Sequence, residues 1–317
     1  MRVDCMDTVT LSIVIPTYNR KEILQKCLNH LFDQTYPRHI YEIIVIDDGS
    51  NDGTGAMVDA ISLDAPVAIR HLRQKKEGPA AARNKGIRAA NGKIVLFLGD
   101  DMIAAQNLIE EHILWHNRYQ DEPVGVLGRI TWSGEIEVTP FMRWLENGGP
   151  QFSFGKLEGA TEADARDFFY SSNISIKKNL LVSKGEFFDE EFPYAAYEDF
   201  ELGHRLKKAG MVLKYNKNAI TFHYHYTSLF SACRRMVIVG EMRQLLAQKL
   251  EEDIGRPERP LWREVLSAIK FIIYYLVALY YEKRSVKNHI FQYVMDYCVL
   301  MGRRIYYKQN KRAVHAA

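Results

Sequence analysis

Two stretches in the first hundred residues, "YEIIVI" (41–46) and "KIVLFL" (93–98), are continuous apolar runs that end in acidic residues, and "LSIVI" (11–15) is a shorter run of the same kind. Unbroken apolar character means that both faces of a strand are covered, as in a parallel sheet packed between helices. Helical patterns separate the runs. Asn19 with Glu22 three residues on reads as a capping box, and Ile23, Leu24, Cys27, Leu28, Leu31 and Phe32 follow at helical spacing. A helix near 54–61, a strand over 67–72 and a helix over 79–90 with Pro79 in its first turn continue the theme. Pro16, lacking an N–H, is expected to end the first strand. This alternation predicts an α/β fold with an open, mostly parallel sheet flanked by helices.

Past residue 104 the pattern loosens. A helix over 104–120, a strand "VGVLGRITW" (124–132), a loop-rich stretch over 147–165 and a segment "FFYSSNISIKK" (168–178) precede a helix carrying "YEDFELGHRLKKAG" (197–210) and a strand over 212–226. Beyond 226 come a helix over 229–253, a Pro-containing break and the strongly apolar stretch 266–281. The uninterrupted part of that stretch, 271–281, falls short of the roughly 20 residues that span a bilayer. A buried helix and an interfacial one both fit it.

With 317 residues, 47% of them hydrophobic and 26% charged, the chain has the composition of a soluble protein with one large core or two modest ones, which excludes disordered and fibrous classes. Asp4 and Asp7 precede an apolar run too short for a secretory signal, so a cytoplasmic location is expected. Cysteines 5, 27, 233 and 298 show neither a CxxC pair nor zinc-like spacing and read as reduced thiols. The net charge of +3 hides an asymmetry, because residues 282–317 carry +6 and the first 281 carry −3.

In open α/β sheets, ligands bind beyond the carboxyl ends of the strands, and three polar loops fall there: "PTYNR" (16–20), "DDGS" (47–50) and "GDD" (99–101). Taken alone, the second is a turn, the third a solvated strand end, and "YEDFEL" (197–202) a set of acids complementing a helix N-terminus. Adjacent carboxylates such as Asp100 and Asp101 repel each other unless solvent, a cation or a partner relieves them.

In their order along one chain, "SIVIPTYNR" (12–20), "IIVIDDGSNDGT" (43–54), "GPAAARNKGIRAANGKIVLFLGDD" (78–101), "SSNISIKK" (171–178) and "YEDFELGHRL" (197–206) resemble the family-2 glycosyltransferases. The resemblance implies the nucleotide-diphospho-sugar transferase (GT-A) fold. Residues 1–104 would then be the nucleotide-sugar half, 105–226 the acceptor half and 227–317 a C-terminal helical extension. It also implies an inverting transfer from a nucleotide-diphospho-sugar, by default a UDP-sugar, to a hydroxyl of a glycan or lipid-linked glycan. Thr17, Tyr18 and Arg20, with Pro16 beside them, would line the base and ribose pocket. Asp48 would accept hydrogen bonds from the base, and Arg83 would face the nucleotide's acidic surroundings.

By the same resemblance, Asp101 matches the metal-ligating last aspartate of the family's Asp-any-Asp motif, with Asp100 beside it on the nucleotide side. Gly99 stands at the first position, so the ribose contact made there in the family has no counterpart. A donor diphosphate beside these acids calls for a divalent cation, Mn²⁺ or Mg²⁺. His223, or else His225 on the same side of the strand, would help hold the metal or diphosphate. Asp199 matches the catalytic base, with Glu198 as the alternative.

Rival classes fit less well. No strand is followed by G-x-G-x-x-G, against a dinucleotide dehydrogenase. A sugar-phosphate nucleotidyltransferase would carry a Gly-rich basic loop where "PTYNR" stands, and a non-catalytic nucleotide-sugar-binding or assembly subunit would not need "YEDFEL". Nucleic acid is not an expected partner. The apolar, tyrosine-rich stretch before the basic tail predicts peripheral membrane contact through 261–317, on the inner face; burial on the catalytic domain or in a homodimer is the alternative.

Overall fold

The computed structural model describes residues 9–316 apart from 184, 186, 256, 258, 259 and 286, with side chains to residue 310. Asp4, Cys5, Asp7 and the side chains of Lys311 and Arg312 therefore lie outside the described residues. In chain order the elements are β1 (Leu11–Thr17), α1 (Lys21–Phe32), β2 (Tyr41–Asp47), α2 (Thr54–Asp64), β3 (Ala68–Arg73), α3 (Pro79–Ala89), β4 (Ile94–Leu98), β5 (Met102–Ala104), α4 (Leu108–Arg118) and β6 (Val124–Trp132). Next come α5 (Pro140–Asn147), β7 (Glu162–Ala163), α6 (Ala165–Phe168), β8 (Asn173–Lys177), α7 (Lys178–Val182), α8 (Glu198–Lys208) and β9 (Val212–His223). Three long helices follow: α9 (Leu229–Lys249), α10 (Leu261–Tyr281) and α11 (Asn288–Ala316). The chain forms two compact units, Met1–Ile136 with Leu157–His225, and Glu137–Lys156 with Tyr226–Ala317.

The first unit is built on one sheet with strand order β3-β2-β1-β4-β8-β6-β9-β5, β7 pairing with β9. Strands β1 to β4 are mutually parallel. Ile13, Val14, Ile15, Ile43, Ile44, Val45, Ile46 and Val95 through Leu98 have no exposure. Burying each such side chain contributes roughly 1.5–3 kcal/mol, which holds this half of the sheet between its helices. Pro16 does not end β1. Thr17 O accepts from Asp48 N at 2.9 Å, so the backbone groups of Thr17 face β2 and by alternation those of Pro16 face the β4 side. There the ladder already stops at Val14, and the missing N–H breaks no sheet bond.

The second half of the sheet is mixed. β8 enters antiparallel between β4 and β6, and β9 runs parallel to β6 while β5 and β7 pair with it antiparallel. Its interior is also partly polar. His112 on α4 bonds Ser175 Oγ through Nδ1 at 2.8 Å and Asn173 Oδ1 through Nε2 at 2.9 Å, and His116 Nε2 meets the same serine at 2.8 Å. Burial pushes these imidazoles down to about 4 for His112 and about 3 for His116, so both are neutral near pH 7.

In the second unit α9 and α11 touch backbone to backbone. A Cβ at Gly240 would run into Val299 O, and one at Gly302 into Val237 O. Residues 137–156, assigned by sequence to the acceptor half, pack here instead. α5 begins with Pro140 and a Thr139 cap that accepts from Met142 N at 3.2 Å, and it sets Phe141 and Trp144 against Phe291 at 5.0 and 5.4 Å between centroids. The aromatic face of this short helix finds its partner on α11. Cys27, Cys233 and Cys298 are buried free thiols.

Candidate active site

Strand order reverses at β1: β2 and β3 lie on one side of it and β4 on the other. The loops leaving β1 and β4 therefore diverge over a common crevice, where such sheets bind ligands. Thr17 Oγ1 donates to Asp100 Oδ2 at 2.8 Å. Arg20 Nη1 reaches Asp100 Oδ1 at 3.0 Å and Asp101 Oδ2 at 2.6 Å. β5 pairs Met102 with His223, which brings the end of β9 alongside. His223 Nε2 then lies 3.3 Å from Asp101 Oδ2, and Tyr224 N donates to Asp101 O at 2.9 Å. Trp132 stacks on His223 at 5.1 Å, and His225 stacks on His223 at 5.6 Å, so the two histidines share a side.

The two aspartates are electrostatically unequal. Burial, with the adjacent Asp101 charge, pushes Asp100 up to about 6. Burial works against ionisation of Asp101 too, but His223 and Arg20 outweigh it and hold this carboxyl well below the usual range. Gly99 has a steric reason: a Cβ there would lie 3.1 Å from Asp101 Oδ1 and 3.2 Å from Met102 Cγ. The donor set of carboxylate oxygens and an imidazole suits Mn²⁺ or Mg²⁺. Among the described residues no group of three or more His, Cys, Asp or Glu converges as a preformed metal cage, so diphosphate and water oxygens would have to complete a shell. Arg20 is the cation that now balances both acids.

Asn19 does not cap α1. It adopts φ 52°, its N–H donates to Ser50 Oγ at 2.8 Å, and its Oδ1 accepts from Asn51 N at 2.9 Å. The capping-box spacing is present, but the side chain ties the β1 loop to the β2 loop. Asp48 binds its own chain: its carboxylate accepts from Gln74 Nε2, Glu77 N and Gly78 N, each at 2.9 Å, and so shapes the loop before α3. Tyr18 is exposed over that loop, with Lys76 Nζ 4.0 Å from its ring centroid.

Arg83 is buried on α3 and pairs with Glu198 Oε1 at 2.9 Å, the side chains being 7% and 2% exposed. The physical reason is that Ala80 through Asn84 form the buried turn of α3. Glu198 is thereby committed to an ion pair. Its neighbour Asp199 is half-buried at the start of α8, where Oδ2 accepts from Ser171 N at 3.3 Å and Ser171 Oγ at 3.4 Å. The next residue, Ser172, accepts through its carbonyl from Gly99 N at 3.4 Å. Adjacent serines thus touch both Asp199 and the Gly99–Asp101 loop. Sequence reasoning missed Trp132, Ser171 and Lys76 as site residues; only "SSNISIKK" marked the serine's neighbourhood.

The model of the family described as Glycosyl transferase family 2 matches residues 12–181. The chain is 27% identical over 260 residues to the uncharacterized glycosyltransferase YfnE of Bacillus subtilis, covering 68% of this chain and 65% of that one. It is 27% identical over 251 residues, 75% of this chain and 74% of the other, to a Methanococcus voltae protein named as a dolichyl N-acetyl-alpha-D-glucosaminyl phosphate 3-beta-D-2,3-diacetamido-2,3-dideoxy-beta-D-glucuronosyltransferase. The match spans just under two thirds of the Bacillus relative and 55% of a Haloferax volcanii glycosyltransferase. Among solved structures, the Pyrobaculum calidifontis mannosyltransferase PcManGT with GDP-Man and Mn²⁺ superposes with TM-score 0.63 at 17% identity, over 94% of this chain and 87% of that one. S. aureus TarS 1-349 with UDP gives TM-score 0.55 at 18% identity over 96% and 92%. These likenesses show the GT-A fold.

Proposed function

The chain belongs to glycosyl transferase family 2, whose model matches residues 12–181, and on that premise we propose that it transfers a sugar from a nucleotide-diphospho-sugar to a hydroxyl of a glycan or lipid-linked glycan. The carrying observation is the Ser171–Ser172 bridge, which sets the carboxylate of Asp199 beside the loop bearing Asp100 and Asp101. A UDP-sugar donor is the reading favoured by the structural neighbour that holds UDP, while another neighbour holds GDP-Man.

In this reading Tyr18 offers an aromatic face to the base, and Asp48 acts by shaping the loop that carries Lys76. Asp101 and His223 would hold Mn²⁺ or Mg²⁺, which when bound supplies charge neutralisation for the leaving diphosphate. Arg20 balances the acids before the donor arrives and is free to exchange partners because its side chain is 34% exposed. Asp199 accepts the proton of the acceptor hydroxyl as the new bond from oxygen to the anomeric carbon forms. The bond from that carbon to the phosphate oxygen breaks in the same displacement, the nucleoside diphosphate leaves with the electron pair, and configuration inverts. The Arg83–Glu198 pair keeps α8, and with it Asp199, in place.

The test is a donor screen with Mn²⁺ that reads released nucleoside diphosphate, run on the native chain and on Asp101→Asn. The reading requires metal-dependent release and loss of most activity in the variant with its circular dichroism unchanged. Full turnover in excess EDTA, or release of pyrophosphate in place of nucleoside diphosphate, would overturn it.

A further inference from the structure

We infer that the outer face of α10 is a docking surface for an anionic lipid bilayer, on which the helix lies flat. This inference is independent of the transferase reading.

α10 is 21 residues long and apolar enough to cross a membrane by length and composition. One stripe of it, Trp262, Val265, Leu266, Ile269, Ile272, Ile273, Leu276 and Tyr280, recurs at helical spacing and is exposed throughout, Leu276 to 61%. A contiguous apolar face of this length marks an interaction site rather than scattered surface residues.

Charge identifies the occupant. At one end of the stripe Arg263 lies 5.0 Å from the Trp262 ring, and at the other Arg284 lies 4.2 Å from the Tyr280 ring. An aromatic ring carrying a guanidinium suits the headgroup level, where amphipathic rings and cations both gain. The helix's acid and the one just past its end turn inward: Glu264 meets Arg304 at 3.4 Å, and Glu282 Oε1 accepts from Leu229 N at 2.7 Å, while the exposed Glu137 at that end is neutralised by Lys283 at 3.1 Å. The outward face therefore carries cations at both ends and no acid between them. A second copy in two-fold pairing along this stripe would bring arginine against arginine, whereas anionic headgroups complement both.

The opposite face of α10 shows why the helix lies on the bilayer and does not cross it. Phe271 stacks on Tyr297 at 4.5 Å, Tyr274 meets Tyr293 at 4.7 Å, and Lys270 Nζ lies 4.5 Å from the Tyr293 ring, all along α11. α11 in turn is locked to α9 through Gly240 and Gly302, and it carries exposed Asp296 and Lys308. A helix tied side by side to a charged neighbour enters only with its outer stripe, about 5–10 Å into the headgroup and acyl boundary.

The experiment is flotation of the full chain with phosphatidylcholine vesicles, with and without phosphatidylglycerol, at low and high salt, followed by a carbonate wash. The native chain should float with the anionic vesicles at low salt and come off in carbonate. Ile269→Asp with Ile273→Asp should lower partitioning about tenfold or more. Arg263→Gln and Arg284→Gln should each lower it about fivefold, and only on anionic vesicles. All three variants alter exposed side chains, and unchanged thermal unfolding checks that they fold. Three results would overturn the inference: native chain that stays at the bottom, native chain retained through carbonate, or a native dimer in sedimentation velocity that Ile273→Asp turns into monomer.

Discussion

Two regions of the sheet unit solve the same electrostatic problem differently. The β4 loop and the start of α8 each present two adjacent acids and one arginine. At the loop, Arg20 bonds both Asp100 and Asp101 and keeps 34% of its side chain exposed. At the helix, Arg83 bonds Glu198, with both partners almost wholly buried, and Asp199 accepts from Ser171. An arginine shared at the surface is exchangeable for another cation, while a buried one is a clamp, because removing it strands a charge that water cannot reach. In the proposed reading the first region would receive a ligand, and the second would hold one carboxylate still.

The largest effect expected from this difference is on rate. Asp199→Asn should lower turnover by roughly 10²- to 10⁴-fold, the usual span for loss of a general base, with nucleotide affinity little changed. Loss of nucleotide binding with normal turnover at saturation would place Asp199 on the donor side instead. For stability, Arg83→Gln should cost about 3–5 kcal/mol in denaturant unfolding, as expected when one partner of a buried pair is removed. Arg20→Gln should cost less, about 1–3 kcal/mol, since the arginine is 34% exposed although its aspartates are only 10% and 12% exposed. The sharper test is rescue: Mn²⁺ should raise the melting temperature of Arg20→Gln more than that of the native chain, and should not rescue Arg83→Gln. Equal responses would erase the distinction between exchangeable and fixed cations.

A third buried polar group, with no acid in it, gives the pH dependence against which both regions can be judged. Burial depresses His112 to about 4 and His116 to about 3, from 6.5 when unfolded. Below pH 6.5 the unfolded chain takes up protons that the folded chain refuses, so stability is full above that value and falls as pH drops towards 4. The slope is about 1.4 kcal/mol per pH unit for each histidine. Urea midpoints across pH 4–7 check it, and His112→Asn should flatten the profile.

What the sequence revealed of all this follows from distance. β1, β2 and β4 are legible because both their faces are apolar, and the acids after them mark the crevice without reference to anything remote. The ion pair of Arg83 is not legible in the sequence, because its partner lies 115 residues away and nothing local marks a helix arginine turned inward. β5 and β7 have three and two residues, too few to show a period, yet β5 is what sets His223 beside Asp101. The second half of the sheet lost its apolar signature to Asn173, Ser175 and the two histidines beneath them.

The smallest expected effect concerns the backbone ahead of each arginine–acid cluster, where the two regions are again alike. Asn19 precedes Arg20 with φ 52°, and Tyr197 precedes Glu198 with φ 69°. Asparagine enters the left-handed region at little cost and here also uses its Oδ1 to accept from Asn51 N, whereas tyrosine adopts it under strain of about 1–2 kcal/mol. Asn19→Ala should therefore cost about 2 kcal/mol, adding strain to the loss of the bond. Asn19→Gly loses the same bond but not the conformation, and should cost only on the order of a few tenths of a kcal/mol more than the bond alone. The gap between the two variants isolates backbone strain at the ligand-receiving loop. If alanine and glycine are indistinguishable in unfolding, the conformation of Asn19 is not what aims Arg20 at the aspartates, and the hydrogen bond between the loops carries that task alone.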